Sequence, residues 1–100
     1  MLNAMMCTER AMTLASKFGM GCVALANTNH WMRAGAYGRK AANAGFAFIG
    51  WTNTNSNTPA WGAVDARLGN NPLIMAVPYG SDAIVLDMAM SQYSYGALDL

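Results

Sequence analysis

The apolar residues Cys7, Ala11, Leu14 and Phe18 recur at three- and four-residue intervals, with Met5 and Met12 close by, and neither Gly nor Pro interrupts residues 2–18. That spacing predicts a helix with a broad apolar face. Gly19 and Gly21 are placed to end it, because glycine accepts the left-handed backbone needed just past a helix. The apolar run Cys22–Ala26 predicts a short buried strand, and the polar Asn-Thr-Asn-His of residues 27–30 forms the loop at its end. Met32–Ala44 has the Ala, Tyr, Arg and Lys content of a second helix, closed by Gly45, and Phe46–Thr52 is aromatic and β-branched enough for a second strand. Helix, strand, helix, strand in succession predicts an α/β class with a parallel pair. In TNTNSNTP the short polar side chains bond readily to local backbone, which favours an ordered loop over a disordered one. Residues 73–78 and 83–88 predict a hairpin about a Pro-Tyr-Gly-Ser-Asp turn.

Composition changes this picture in one respect. Of the 100 residues, 54% are hydrophobic and only 11% charged, against roughly 25% charged in ordinary globular chains. Such a surface is poorly solvated, which points to a piece that lies against other protein rather than to an unusually compact domain. Net charge is +1 and the six basic residues are scattered, so no nucleic-acid footprint is present. The apolar stretches AGFAFIGW and LIMAVP are far shorter than the ~20 residues that span a bilayer. The N-terminus lacks the order of a secretory signal and two cysteines are too few for a disulfide scaffold, so a reducing, cytoplasmic setting is expected. Cys7 and Cys22 read as small buried hydrophobes.

Several patterns resemble chemistry without carrying it. Gly19, Gly21 and Ala24 spell GxGxxA, but a dinucleotide fingerprint needs a strand before the glycines and a helix after them, and here the order is reversed. One histidine and two distant cysteines give no metal-ligand spacing. Cys22 and His30 are separated by about eight residues of predicted strand and loop, too far for a nucleophile pair. The asparagine-rich loop holds no glycosylation sequon.

His30 is the most informative residue, since open α/β sheets place catalytic groups beyond the carboxyl ends of strands. An imidazole there suits protonation of a carbonyl oxygen as hydride arrives, and it is equally consistent with a ring fixed by neighbouring asparagines. Trp31, Trp51 and Trp61 each adjoin a polar loop, where they wall a slot for a flat ring or pack in the core. Asp87, in the apolar run IVLDMAM, is expensive to bury unless it meets donors, which makes it either a ligand contact or the cap of a helix starting near Ser91.

Four ordered strings, ALANTNHWMRAGAYGRKAA, WTNTNSNTPAWGA, RLGNNPLIMAVP and VLDMAMSQYSYG, resemble the malate/L-lactate dehydrogenase-like family from about the first helix to the last residue. The resemblance implies a mixed sheet flanked by helices in a nicotinamide-binding fold that is not of the Rossmann type. It implies reduction of a 2-oxoacid, or oxidation of the matching 2-hydroxyacid such as malate or lactate, with NAD or NADP in a homodimer. It further implies that His30 acts as acid/base at the substrate oxygen, that Thr54 contacts substrate, and that Asp87, Met88 and Ala89 line the cofactor. No metal is implied.

There are departures. Asn70 stands where the family commonly has threonine, and Val64 where near relatives have lysine. Enzymes of the family are several times longer and carry a further acid/base histidine in an upstream Ser-His-Gly motif, whereas His30 is the single histidine here. Residues 1–100 are therefore expected to be one segment, part of the cofactor-binding domain of a longer enzyme, without turnover or tight cofactor binding alone. A different class of reading, a non-catalytic subunit or interaction module keeping the family fold, is motivated by the sparse charge.

Overall fold

The computed structural model describes residues 1–92. Helix α1 (Leu2–Phe18) occupies the whole stretch that its apolar spacing predicts, and Gly19, at φ +82°, closes it by returning its amide to the Ala15 carbonyl. Its inward side carries small groups: Ala4 and Thr8 are buried while Phe18 is exposed. The Thr8 hydroxyl donates to the Ala4 carbonyl at 2.9 Å, so no unpaired polar group is buried there. Lys40 reaches Glu9 at 2.5 Å across the contact with the second helix.

The strand expected over Cys22–Ala26 does not form, and with it goes the parallel pair. A strand needs a neighbour for its backbone groups. This stretch instead leaves α1 at close quarters, Gly21 lying where a Cβ would fall 2.0 Å from the Ala11 carbonyl oxygen. Cys22 is exposed and Cys7 half-buried, so neither is the buried hydrophobe expected from the sequence.

Helix α2 (Gly35–Asn43) starts three residues later than expected, because Met32 takes φ +67° and so stands outside helical backbone. The strands are β1 (Phe48–Trp51), β2 (Thr58–Pro59), β3 (Ala66–Leu68), β4 (Leu73–Tyr79) and β5 (Asp82–Met88). Three of them form an antiparallel sheet in the order β1-β4-β5, and β2 pairs β3 separately. The β4–β5 hairpin is the one expected, though pairing continues through Pro78 and Tyr79 to Asp82. Gly80, at φ +58°, supplies the first central residue that a II′ turn requires.

Register decides which side of the sheet is covered. Phe48, Ala76 and Val85 form one row and Gly50, Ile74 and Asp87 another. Strand alternation puts both rows on the side where α2 lies. A Cβ on Gly38 of α2 would be 3.0 Å from both Ala76 and Ile74. The core is this layer, with Tyr37, Ala41, Ala42, Ile74 and Ala76 buried. The intervening rows, Ile49-Met75-Leu86 and Val77-Ile84, are exposed on the far side. This exposed apolar side is what the low charge content anticipates. Among the described residues, no helix is long and apolar enough to cross a membrane.

Candidate functional site

His30 sits on the irregular segment between α1 and α2 rather than at the end of a strand, and its ring is exposed. Three contacts hold that segment. Asn3 at the start of α1 donates to the Thr28 hydroxyl at 2.9 Å. The buried Tyr37 hydroxyl, one turn into α2, makes a short hydrogen bond to the Trp31 carbonyl, and the Trp31 and Tyr37 rings lie 6.2 Å apart. The Met32 amide donates to Nδ1 of His30 at 2.8 Å. Among the described residues nothing bonds to Nε2, which is the nitrogen left open to a ligand.

Asp87 is close to this segment through α2. Its Oδ2 accepts the Gly35 amide at 2.7 Å, satisfying an orphan donor of the first turn and setting negative charge at the positive end of the helix dipole. It thus caps α2, 52 residues earlier in sequence. A helix beginning near Ser91 would run into residues 93–100, outside the described ones. Asp87→Ala is expected to destabilise the fold by about 1 kcal/mol, with Asp87→Asn, which keeps an acceptor, losing less. Urea midpoints of the two variants check this; equal loss from both would show that charge alone matters. Asp87 also borders a cleft of about 390 Å³ with Arg33, Gly35, Ala36, Arg39 and Val85.

Thr54 lies in a separate knot of hydrogen bonds. Its hydroxyl donates to Asn70 Oδ1 at 2.8 Å, its amide donates to Asn71 Oδ1 at 3.0 Å, and the Asn71 amide approaches the hydroxyl oxygen at 3.3 Å. Asn70, one of the departures noted in the sequence, thus takes part in the local bonding through its side-chain oxygen. Met90 donates its amide to the Asn70 carbonyl at 2.7 Å, tying the Asp87–Ala89 segment to the same knot. Beside it, Trp51, Thr52, Asn53, Asn71, Leu73 and Met90 line a cleft of about 340 Å³.

The structure thus joins Asp87 to the His30 segment at the head of α2, and Met90 to the Thr54 knot. No hydrogen bond or ion pair links His30 to Thr54. The three tryptophans do not form one slot, nor do they fill the core: Trp51 alone of the three borders this cleft, Trp31 packs on Tyr37, and Trp61 is fully exposed. Val64, in place of the expected lysine, is fully exposed as well. Among the described residues, no three of His, Cys, Asp and Glu are gathered for a metal ion.

The chain matches known proteins over nearly its whole length. A family model described as malate/L-lactate dehydrogenase matches residues 1–100. The chain belongs to that family. Within the malate/L-lactate dehydrogenase family it is 50% identical over 99 residues to 2,3-diketo-L-gulonate reductase of Klebsiella pneumoniae and, to the same extent, to that of Pasteurella multocida. The match takes in 99% of this chain and 30% of each relative, so the chain spans under a third of their length. Among solved structures, malate dehydrogenase of Pyrococcus horikoshii superposes with a TM-score of 0.92 at 32% identity, covering 98% of this chain and 28% of that one. Malate dehydrogenase of Entamoeba histolytica gives 0.91 at 32%, covering 97% and 27%. The backbone just described is therefore close to that of these two malate dehydrogenases over this segment.

Three residues of this arrangement escaped the sequence reading. Tyr37 carried a signal, since a tyrosine on the inward face of a helix needs a partner for its hydroxyl. Asn71 carried a weaker one, as an asparagine before proline tolerates the positive φ of +35° found there. Gly35 carried none, because its use is to admit a carboxylate that arrives from β5.

Proposed function

We propose that this chain supplies the acid/base histidine and part of the substrate and nicotinamide sites of an NAD- or NADP-dependent 2-oxoacid reductase, able to run in reverse on a 2-hydroxyacid such as malate or lactate. The observation that carries the reading is the His30 ring: exposed, held at Nδ1 by backbone, and open at Nε2. Its support from outside the chain is the similarity to reductases and dehydrogenases of that substrate type.

The residues present fit a nicotinamide. The cleft beside Met90 has Trp51 and Leu73 for an apolar ring face and Thr52, Asn53 and Asn71 for a carboxamide. In this reading Met88 and Ala89 line the cofactor beside this cleft, and Asp87, which borders the other cleft on the α2 side, lines a different part of it. Hydride is the chemistry such a group supplies when bound. His30 then delivers the accompanying proton to the carbonyl oxygen, which would otherwise have to form as a bare alkoxide. Thr54 has committed its proton to Asn70, so it meets a substrate as an acceptor, which suits a substrate hydroxyl. We take residues 1–100 as part of the cofactor-binding domain of a longer cytoplasmic, homodimeric enzyme, inactive by itself.

A chimera tests this. The chain replaces the aligned 99 residues of the Klebsiella reductase, and NAD(P)H oxidation is followed with 2,3-diketo-L-gulonate, pyruvate and oxaloacetate. The chimera is expected to turn over at least one of them and the chain alone none. Saturable activity from the chain alone would overturn the fragment reading. A folded but inert chimera would favour the second reading, a non-catalytic interaction module, for which the exposed sheet face of Ile49, Met75, Val77, Ile84 and Leu86 is the motive.

A further inference from the structure

The Trp31–Met32 peptide is bonded at both ends of its dipole. Its carbonyl oxygen accepts from the Tyr37 hydroxyl, and its N–H donates to Nδ1 of His30 at 2.8 Å. A backbone N–H is always a donor, so Nδ1 must present its lone pair, and the proton of a neutral imidazole then resides on Nε2. Tyr37 is 2% exposed, and its ring is fixed by the core beneath α2, so the hydroxyl is a rigid anchor for the peptide plane. The peptide needs one. Met32 adopts φ +67°, a left-handed conformation that side-chain-bearing residues take rarely, so the backbone that follows this peptide is strained.

We infer that Tyr37 is a positioning residue: acting through the Trp31–Met32 peptide, it fixes His30 as the Nε2–H tautomer, with the proton-bearing nitrogen facing outward. The tautomer stands on these contacts; that its proton meets a substrate oxygen rests on the function proposed above. A hydroxyl-to-carbonyl bond polarises the peptide and strengthens its N–H as a donor, so the two bonds reinforce each other. The outward nitrogen then offers a proton without waiting for the ring to reorient or exchange tautomers. Second-site control of this kind, in which the bond at one ring nitrogen sets the state of the other, is general for working histidines.

The single histidine makes the test direct. The 100-residue chain is labelled with ¹⁵N-histidine and its ring nitrogens are read by long-range ¹H–¹⁵N correlation, at a pH above the ordinary histidine range. Native chain is expected to show one species, with Nε2 protonated and Nδ1 bare, and Tyr37→Phe a mixture of both tautomers. An Nδ1–H or mixed native spectrum overturns the inference, and so does a Tyr37→Phe spectrum identical to the native one. If the chain alone lacks dispersed amide signals, the same label in the chimera, read by difference against its His30→Gln variant, answers the question. In the chimera Tyr37→Phe is also expected to lower kcat about tenfold with little change in KM, a part of the ~10²–10⁴ that a positioned acid contributes. A loss confined to KM, or one matched by loss of folded protein, would mean that Tyr37 is structural only. A fixed tautomer in an inert chimera would leave the positioning role intact and sink the reductase reading instead.

Discussion

Replacing His30 by alanine in the reductase chimera is expected to lower kcat by about 10²–10⁴-fold while leaving thermal stability within roughly 0.5 kcal/mol of the parent. The two halves of that expectation come from different observations. The ring is exposed and fills no part of the core, so truncation opens no cavity. What is lost within the chain is one acceptor for the Met32 amide, which water replaces on an exposed segment. The proton source at the carbonyl oxygen has no such replacement, because water held in no fixed geometry gives up the advantage of orientation. His30→Gln keeps a carboxamide able to receive the Met32 amide but cannot transfer a proton, and is expected to be as inactive as alanine. Steady-state kcat and KM beside a denaturation curve check all of this. A His30→Ala chimera within a few-fold of its parent would remove the histidine from the chemistry.

The largest stability effect is expected at Ile74, among the described residues the one large side chain with no exposed surface at all. Ile74→Ala should cost about 2–5 kcal/mol, a large part of the total for a domain of this size. The reason lies on α2. Gly38 faces Ile74 so closely that a Cβ would stand 3.0 Å from its Cγ2 and from the Ala76 Cβ, and so the helix rides directly on the sheet. Gly38→Ala forces those neighbours apart and is expected to cost about 1–3 kcal/mol alone. In the double variant the new methyl enters space that Ile74 has vacated, so the combined loss should fall short of the sum by about 1 kcal/mol. Urea midpoints with unchanged m-values give all three numbers. Strict additivity would mean that α2 and β4 are not in the contact described.

Where the sequence was legible, the signal was local. Helix α1 and the β4–β5 hairpin follow from spacing and from one glycine turn, and both stand where expected. What misled was context. The run Cys22–Ala26 has strand composition, yet composition cannot supply a neighbouring strand, and none lies beside it. The parallel pair was inferred from element order, whereas β1 finds its partner in β4, across residues 52–72. Asp87 was marked as a carboxylate expensive to bury, yet it is exposed, and the donor it does meet belongs to Gly35, at a separation no periodicity encodes. Thr54 came from resemblance to a family, which also assigned His30 its acid/base role, whereas His30 itself was first singled out by its place after a strand that does not form. The contacts that align them, from Asn70, Asn71 and Tyr37, follow only once the chain is folded.

The strand order β1-β4-β5 also bears on how the chain acquires its shape during synthesis. β1 leaves the ribosome first, but the hydrogen bonds it needs lie on β4, so it must wait unpaired while residues 52–72 are made. β4 and β5, separated by a two-residue turn, close in microseconds once both are free, at small entropic cost. Nucleation therefore belongs to the hairpin, and β1 and α2 condense onto a template already formed. Ribosomes stalled before residue 82 would carry a nascent chain whose central strand has both edges still bare.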